Sequence, residues 1–214
     1  MLTPCLDQNT LRMENTLGSN MKRSAGTGEP GCLNKSRVQG KQEVARKPSA
    51  QKYVENALKH GASDSKIIPA ETIVTAPWVR LKCQYGCGGY GQCLTCPPYS
   101  PTPEQTAKVI ECYKTAVLIH GDDHTDVTRV AATLEREAFL DGYYKAFAMG
   151  SGPCRLCKEC NIEDEECLHP YEARPSMESC GIDVFQTARN NGMPIQVVRD
   201  ATCEQNYFAV VLLE

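Results

Sequence analysis

Long apolar stretches and aromatic residues are scarce in this chain of 214 residues. Aromatic residues make up 7% of it, with a single tryptophan, and the longest apolar stretch is the six-residue run at 208–213. A transmembrane helix needs about 20 apolar residues, so the sequence predicts no membrane segment. No apolar run near residue 1 resembles the core of a secretory signal, so we expect the protein to be cytoplasmic.

Basic charge is also scarce in the part of the sequence that has a globular pattern. The whole chain has 23 Lys and Arg against 26 Asp and Glu, a net charge of −3. The first 50 residues hold 8 basic and 4 acidic residues, which leaves 15 and 22 for residues 51–214. Nucleic-acid binding needs a basic surface, so neither nucleic acid nor membrane is expected as a partner. P-loop, HExxH and GxSxG motifs are absent, and whether the protein is an enzyme stays open.

Two parts of the chain differ in composition. Residues 1–48 are polar and show neither the helical nor the strand period, which predicts a disordered extension. Residues 49–214 alternate helical and strand patterns, which predicts a single metal-binding domain of the α/β (or α+β) class. We expect a mixed sheet with flanking helices and cysteine-rich loops at strand ends.

Hydrophobic periodicity and capping residues locate the elements of this domain. Helices are predicted near 51–60, 103–113, 125–142 and 184–191, two of them capped by Thr102 and Asp183. Strands are predicted at 67–68, 72–75, 78–81, 116–120, 146–149, 194–198 and 207–213.

Cysteine is the residue in excess, with 13 in the chain. Without an export signal, clustered cysteines indicate metal binding or redox chemistry rather than disulfides. One group has the spacing Cys154-x2-Cys157-x2-Cys160-x6-Cys167, with Cys180 farther on. Three thiols spaced by two residues are typical of 4Fe-4S ferredoxins, and the fourth ligand is Cys167 or Cys180. An all-thiolate zinc site is the alternative.

An earlier group has the spacing Cys83-x3-Cys87-x5-Cys93-x2-Cys96 and is rich in glycine. Glycine lets a backbone pass close to an inorganic cluster. We interpret Cys83, Cys87 and Cys96 as ligands of a second cluster, with a remote thiol or a substrate as the fourth ligand. Cys93 is a metal-ligand candidate that the pattern supports least. The CxxxCxxC pattern of radical S-adenosylmethionine enzymes fails, because Tyr90 stands three residues after Cys87.

Two motif blocks carry a resemblance to a known family. The first is RLKC, GCGGYG and CPPYSPTPE within residues 80–104, and the second is GPCRLC at 152–157 with ARPSMESCGIDV at 173–184. Together they resemble a family of bacterial and archaeal predicted metal-binding proteins that has no assigned reaction. The resemblance covers about residues 50–214 and implies an iron–sulfur protein of anaerobes. Its motif positions hold Cys83, Cys87, Cys96, Cys154, Cys157, Cys160, Cys167 and Cys180.

The leading interpretation is an iron–sulfur protein with one or two 4Fe-4S clusters that moves electrons to or from a redox partner. A cluster-dependent enzyme with an open iron site and a zinc-stapled interaction module are the alternatives.

Several residues near the cysteines have weaker assignments. Arg155, Lys158 and Arg174 are expected to offset the charge of a cluster, and His169 is a candidate hydrogen-bond donor or ligand. The acidic run at 163–166 is interpreted as a solvated loop, or as a docking site for a basic redox partner. Cys112 and Cys203 are expected to be small buried hydrophobic residues.

Overall fold

The computed structural model describes residues 46–200 and 202–214, which fall within one structural unit, residues 44–214. The expected extension lies almost wholly outside the described residues, as do Cys5 and Cys32. The extension and its boundary at residue 48 therefore stay predictions. Within the described ranges, no helix has both the length and the apolar character that crossing a membrane requires.

The described residues contain four strands, which form one antiparallel sheet in the order β1-β2-β4-β3. The strands are β1 (Asp64–Pro69), β2 (Thr115–Gly121), β3 (Phe147–Met149) and β4 (Tyr207–Leu212). In the register, Leu118 of β2 lies opposite Lys66 of β1 and Val210 of β4. The central strands β2 and β4 are buried on both faces, which explains their continuous apolar sequence.

The described ranges contain five α-helices. They are α1 (Gln51–Lys59), α2 (Trp78–Gly86), α3 (Pro103–Ile110), α4 (Val127–Leu140) and α5 (Val184–Asn190), and a 3-10 turn covers Ala70–Thr72. The predicted caps are present. Thr102 accepts a hydrogen bond from the backbone N of Gln105 at 3.2 Å, and Asp183 accepts one from Gln186 at 2.9 Å.

The sheet separates two apolar layers. On one face α1 and α4 pack through residues such as Tyr53 and Leu134 against Val117 and Ile119 of β2. On the other face α5 and residues 177–182 pack against alternate residues of the same strands, such as Leu118. This arrangement confirms the mixed α/β class, and the strand pairing is antiparallel throughout.

Two predicted strands are wrong. Residues 78–81 form the first turn of α2, because only Val79 faces the core while Trp78 and Leu81 are exposed, a pattern that a helix satisfies. Residues 194–198 form no strand, since Ile195 is buried but Val197 and Val198 are exposed. The predicted strand at 72–75 is reduced to a 3-10 turn and a single bridge from Thr75 to Ile182.

The segment 176–183 attaches the loops that carry both cysteine groups to the core. Ser100, just after the first group, donates its hydroxyl hydrogen bond to the carbonyl of Ser179 at 2.6 Å. Thr106 of α3 donates to the carbonyl of Cys180 at 2.7 Å. Because the segment also lies against the sheet, it fixes the two loops relative to each other.

Candidate metal centre

The second cysteine group lies on the long connection between β3 and α5. The connection begins where the backbone N of Gly150 donates to Pro175 O at 2.8 Å. Thr128 of α4 then accepts a hydrogen bond from the backbone N of Ser151 at 3.0 Å. A Cβ at Gly150 would lie 2.3 Å from the Thr128 hydroxyl, so only glycine allows this approach to α4. These contacts hold both ends of the cysteine loop at one edge of the sheet.

A cavity of about 460 Å³ lies between this loop and the loop of the first group. Its wall includes five thiols, those of Cys93, Cys154, Cys157, Cys160 and Cys167. Four of the five belong to the second group, and Cys93 comes from the first. The structure thus brings together two parts of the sequence that we had assigned to separate clusters.

Two hydrogen bonds join the loops across the cavity wall. The Cys93 Sγ lies 3.7 Å from the carbonyl oxygen of Cys154 and donates to it. The backbone N of Leu94 donates to the Cys160 Sγ at 3.4 Å. N–H donors to ligand sulfur atoms are typical of iron–sulfur sites, where they influence the reduction potential.

Two of the cavity thiols, Cys93 and Cys157, have raised pKa values, with burial as the largest cause and neighbouring thiols as a further one. The pKa of Cys93 is raised by burial and then by the neighbouring Cys160 and Cys154. The pKa of Cys157 is raised by desolvation and then by Cys154, Cys160 and Cys167. Neighbouring thiolates repel each other, and a cation bound between them would supply positive charge that stabilises them.

The donor set and one orphaned polar atom fit an iron–sulfur cluster. Thiolates are the ligands that such clusters use. Thr95 also lines the cavity. Its hydroxyl oxygen is shielded from solvent and has no partner at hydrogen-bond distance among the described residues, although it lies near the Cys96 thiol. A cluster sulfide or a ligand sulfur would accept a hydrogen bond from it. Sequence reasoning overlooked Thr95 and Leu94, although both stand between two cysteines.

The other thiols of the first group do not line the cavity. Cys83 is in the last turn of α2, Cys87 follows that helix, and Cys96 is buried beneath the loop. Burial raises the pKa of Cys96 to about 12, with further contributions from Cys93, Cys87 and Cys83. Each of the three neighbours is therefore close enough to influence Cys96.

Cys180 occupies a different environment. It is 1% exposed, belongs to the apolar core on the α5 side of the sheet, and does not line the cavity. Burial raises its pKa to about 11, and its charged neighbours are Arg80 and Glu178. Of the two candidates for the fourth ligand of the second group, the structure places Cys167 in the cavity wall and Cys180 in the core.

The charged residues near the cavity differ in whether they line it. Arg174 does not face the cavity but forms an ion pair with Glu135 of α4. Lys158 and His169 do line the cavity, whereas Arg155 is exposed outside it. The acidic run at 163–166 is exposed, as expected.

All 11 cysteines in the described residues are free thiols. Cys112 is exposed and Cys203 is partly exposed, so the expectation that both are buried is wrong. Cys112 follows the C-terminal end of α3, where its thiol donates to Lys108 O at 3.6 Å rather than packing inward. Across residues 46–200 and 202–214, no set of three or more Cys, His, Asp and Glu side chains is arranged to hold a single metal ion.

Cysteine thiolates are the ligands that soft metals and iron–sulfur clusters prefer. The model of a family described as predicted metal-binding proteins, DUF2284, matches residues 66–213. The chain therefore belongs to this family, in agreement with the resemblance seen in its motifs. The match covers α2 to β4 and both cysteine groups. No curated protein and no solved structure shows a significant match to the chain.

Proposed function

We propose that this protein is an iron–sulfur protein that carries a 4Fe-4S cluster in the five-thiol cavity and transfers electrons to or from a partner protein. The observation that carries the proposal is the convergence of five thiols, including the CxxCxxC run, on one cavity of about 460 Å³. This volume suits a polyatomic group, since pockets for small ligands measure about 300–1,000 Å³. The bound cluster supplies one-electron redox chemistry.

The ligands of this cluster would be Cys154, Cys157 and Cys160 with Cys93 or Cys167. Leu94 and Thr95 contribute hydrogen-bond donors at the cavity wall. Such donors stabilise the more negative, reduced form of a cluster and so raise its potential. Lys158 at the cavity wall adds a positive charge with the same effect.

A protein partner would meet the surface around the cavity. The exposed acidic run at 163–166 lies between the cavity residues Ile162 and Cys167. Leu156 and Leu168 also line the cavity and are exposed at its rim, with 43% and 61% of their surface accessible. An apolar rim beside a negative segment fits a redox partner with a basic docking face.

The metal and acid-labile sulfide content of the anaerobically purified chain tests whether it binds an iron–sulfur cluster. We expect about four irons and four sulfides for the cavity alone, or about eight of each if the first group binds a second cluster, with bleaching by dithionite. Cys157→Ser should lose iron and sulfide together. Cys112→Ser, an exposed thiol away from the cavity, is the matched control and should retain both. One or two zincs without sulfide would contradict the proposal and favour the structural zinc alternative.

Reduction kinetics with a basic ferredoxin-type donor test the docking surface. Neutralising all four residues, as in E163Q/D164N/E165Q/E166Q, should slow reduction severalfold at low salt and reduce the salt dependence of the rate. The control is to neutralise acidic residues that do not line the cavity, as in D122N/D123N, which should leave the rate unchanged. Equal rates for both sets of variants would contradict docking at 163–166.

A further inference from the structure

Cys93 belongs to the first cysteine motif in sequence and to the cavity of the second motif in space. Within the described residues, it is the one thiol of the first motif that lines the cavity. Its Sγ lies 3.7 Å from the carbonyl oxygen of Cys154. The next residue, Leu94, donates its backbone hydrogen bond to the Sγ of Cys160 at 3.4 Å. The Cys93 segment therefore lies directly across the CxxCxxC loop.

The local backbone explains how one loop can place Cys93 and Cys96 in different surroundings. The N–H of Gly91 donates to the carbonyl of Pro97 at 2.8 Å, which closes the loop. Inside it, Cys96 N donates to Cys93 O at 2.9 Å, which forms a turn. Cys93 lies at the cavity wall, whereas Cys96 is buried and does not line the cavity.

We propose that Cys93, rather than Cys167, completes the ligand set of the cavity centre. Its co-ligands are Cys154, Cys157 and Cys160. The first motif then keeps three thiols of its own, namely Cys83, Cys87 and Cys96. This inference rests on the proposed function for the kind of centre, but the partition of the thiols rests on their placement alone.

A weaker association of Cys167 with the three central thiols supports this choice. Among the described residues, no hydrogen bond joins Cys167 to Cys154, Cys157 or Cys160. By contrast, the Cys93–Leu94 segment is hydrogen-bonded both to the carbonyl oxygen of Cys154 and to the Sγ of Cys160. Cys167 is also separated from Cys160 by the exposed acidic run.

The partition leaves an open position at the first motif. A centre held by three protein thiols has one coordination position for a ligand from outside the chain. The surface there is accessible, because Cys87 is exposed and a Cβ at Gly86 or Gly88 would meet no atom within 4 Å. The ligand class that fits thiolate-bound iron is a small soft donor, such as cyanide or a thiolate.

The first experiment uses a variant called the cavity-only chain, which is the full chain with C83S, C87S and C96S. It lacks the other thiols of the first motif and keeps the five of the cavity. In this background we expect about four irons and sulfides per chain. Adding C167S should leave the iron content and the electron paramagnetic resonance spectrum unchanged. Adding C93S instead should lower the iron content or shift the g values. An unaltered spectrum after C93S, or a change after C167S alone, overturns the inference.

The second experiment uses the full chain with C154S, C157S and C160S, which keeps the first motif. Adding C93S there should not change the iron content, and a loss of iron overturns the partition. Potassium cyanide should change the spectrum of this chain, because it occupies the open position. A spectrum that is insensitive to cyanide overturns the open position.

Cobalt(II) provides a readout that does not depend on iron–sulfur assembly. In the cavity-only chain, C93S should remove about one quarter of the thiolate-to-cobalt absorption, since one of four thiolate ligands is lost. C167S should remove none, and the reverse result overturns the inference. If the wild-type chain contains no sulfide, the proposed function fails while the cobalt titration still decides the role of Cys93. Far-UV circular dichroism confirms that each variant is folded.

Discussion

Arg174 forms a two-pronged ion pair with Glu135, in which Nε and Nη2 each donate to one carboxylate oxygen at 2.6 Å. Both side chains are mostly buried, at 14% and 13% exposure. Glu135 also accepts a hydrogen bond from the backbone N of Ala148 in β3 at 2.7 Å. The pair therefore links helix α4, an edge strand and the end of the second cysteine loop. Its role is structural, in contrast to the cluster-neutralising role that sequence reasoning gave Arg174.

Removing this carboxylate should destabilise the fold strongly. Glu135→Ala leaves the Arg174 guanidinium buried without its partner, and the expected cost in the free energy of unfolding is about 3 kcal/mol. Urea denaturation measures it. Glu137→Ala on the same helix is the matched control, because Glu137 pairs with His60 at a more exposed site and should cost less than about 1 kcal/mol. Equal losses for both variants would show that the Arg174 pair has no special role.

Gly181 should not tolerate a side chain. Its φ is +77°, and a Cβ would lie 2.4 Å from the Cγ of Pro103. Gly181→Ala should lower the free energy of unfolding by about 2 kcal/mol or more, since left-handed backbone strain adds to the clash. Gly88→Ala is the control, because a Cβ there meets no atom within 4 Å. Thermal unfolding compares the two, and similar Tm values would contradict the prediction.

Asp141 should contribute to the acid sensitivity of the fold. Lys52 donates to its carboxylate at 2.6 Å and lowers its pKa below the ordinary value, with help from the Tyr53 hydroxyl at 2.8 Å. Because the pKa is lower in the folded state, the ionised carboxylate stabilises the fold above the unfolded-state pKa. That stabilisation is lost as the pH falls through the folded-state pKa.

The variant Asp141→Asn should therefore flatten the dependence of stability on pH between about pH 5 and pH 2. Lys52→Gln removes the main cause of the lowered pKa of Asp141 and should partly flatten the dependence of stability on pH. Urea denaturation at several pH values provides the curves. An acid limb in Asp141→Asn as steep as that of the wild-type chain would exclude this contribution.

Metal removal should loosen the cysteine loops and leave the sheet intact. The core layer around α1 and α4 contains no cysteine among its described members, and the layer around α5 contains only Cys180. We expect chelation under reducing conditions to preserve far-UV circular dichroism while exposing residues 84–102 and 151–172 to proteolysis. Unfolding of the whole domain on chelation would instead show that metal binding and folding are coupled throughout.

Local sequence signals predicted the elements whose residues act within a few positions of one another. The caps Thr102 and Asp183 and the buried strand β2 are such cases, because capping and burial leave clear short-range patterns. The start of α2 was mistaken for a strand because Trp78, Val79 and Leu81 suit either structure by composition. Only their exposure distinguishes the two, and exposure depends on what packs against them.

The amino-acid sequence by itself determined that the domain is mixed α/β, that its cysteines are clustered as in metal-binding proteins, and which family motifs it carries. Only the tertiary structure decided which thiols meet. Cys93 reaches Cys154 across 61 residues of chain, Cys180 is drawn into the core, and Arg174 pairs with Glu135. The spacing of cysteines in the sequence indicates which ligands a single loop can supply. Contacts between distant segments depend instead on how the sheet and the 176–183 segment position the two cysteine loops.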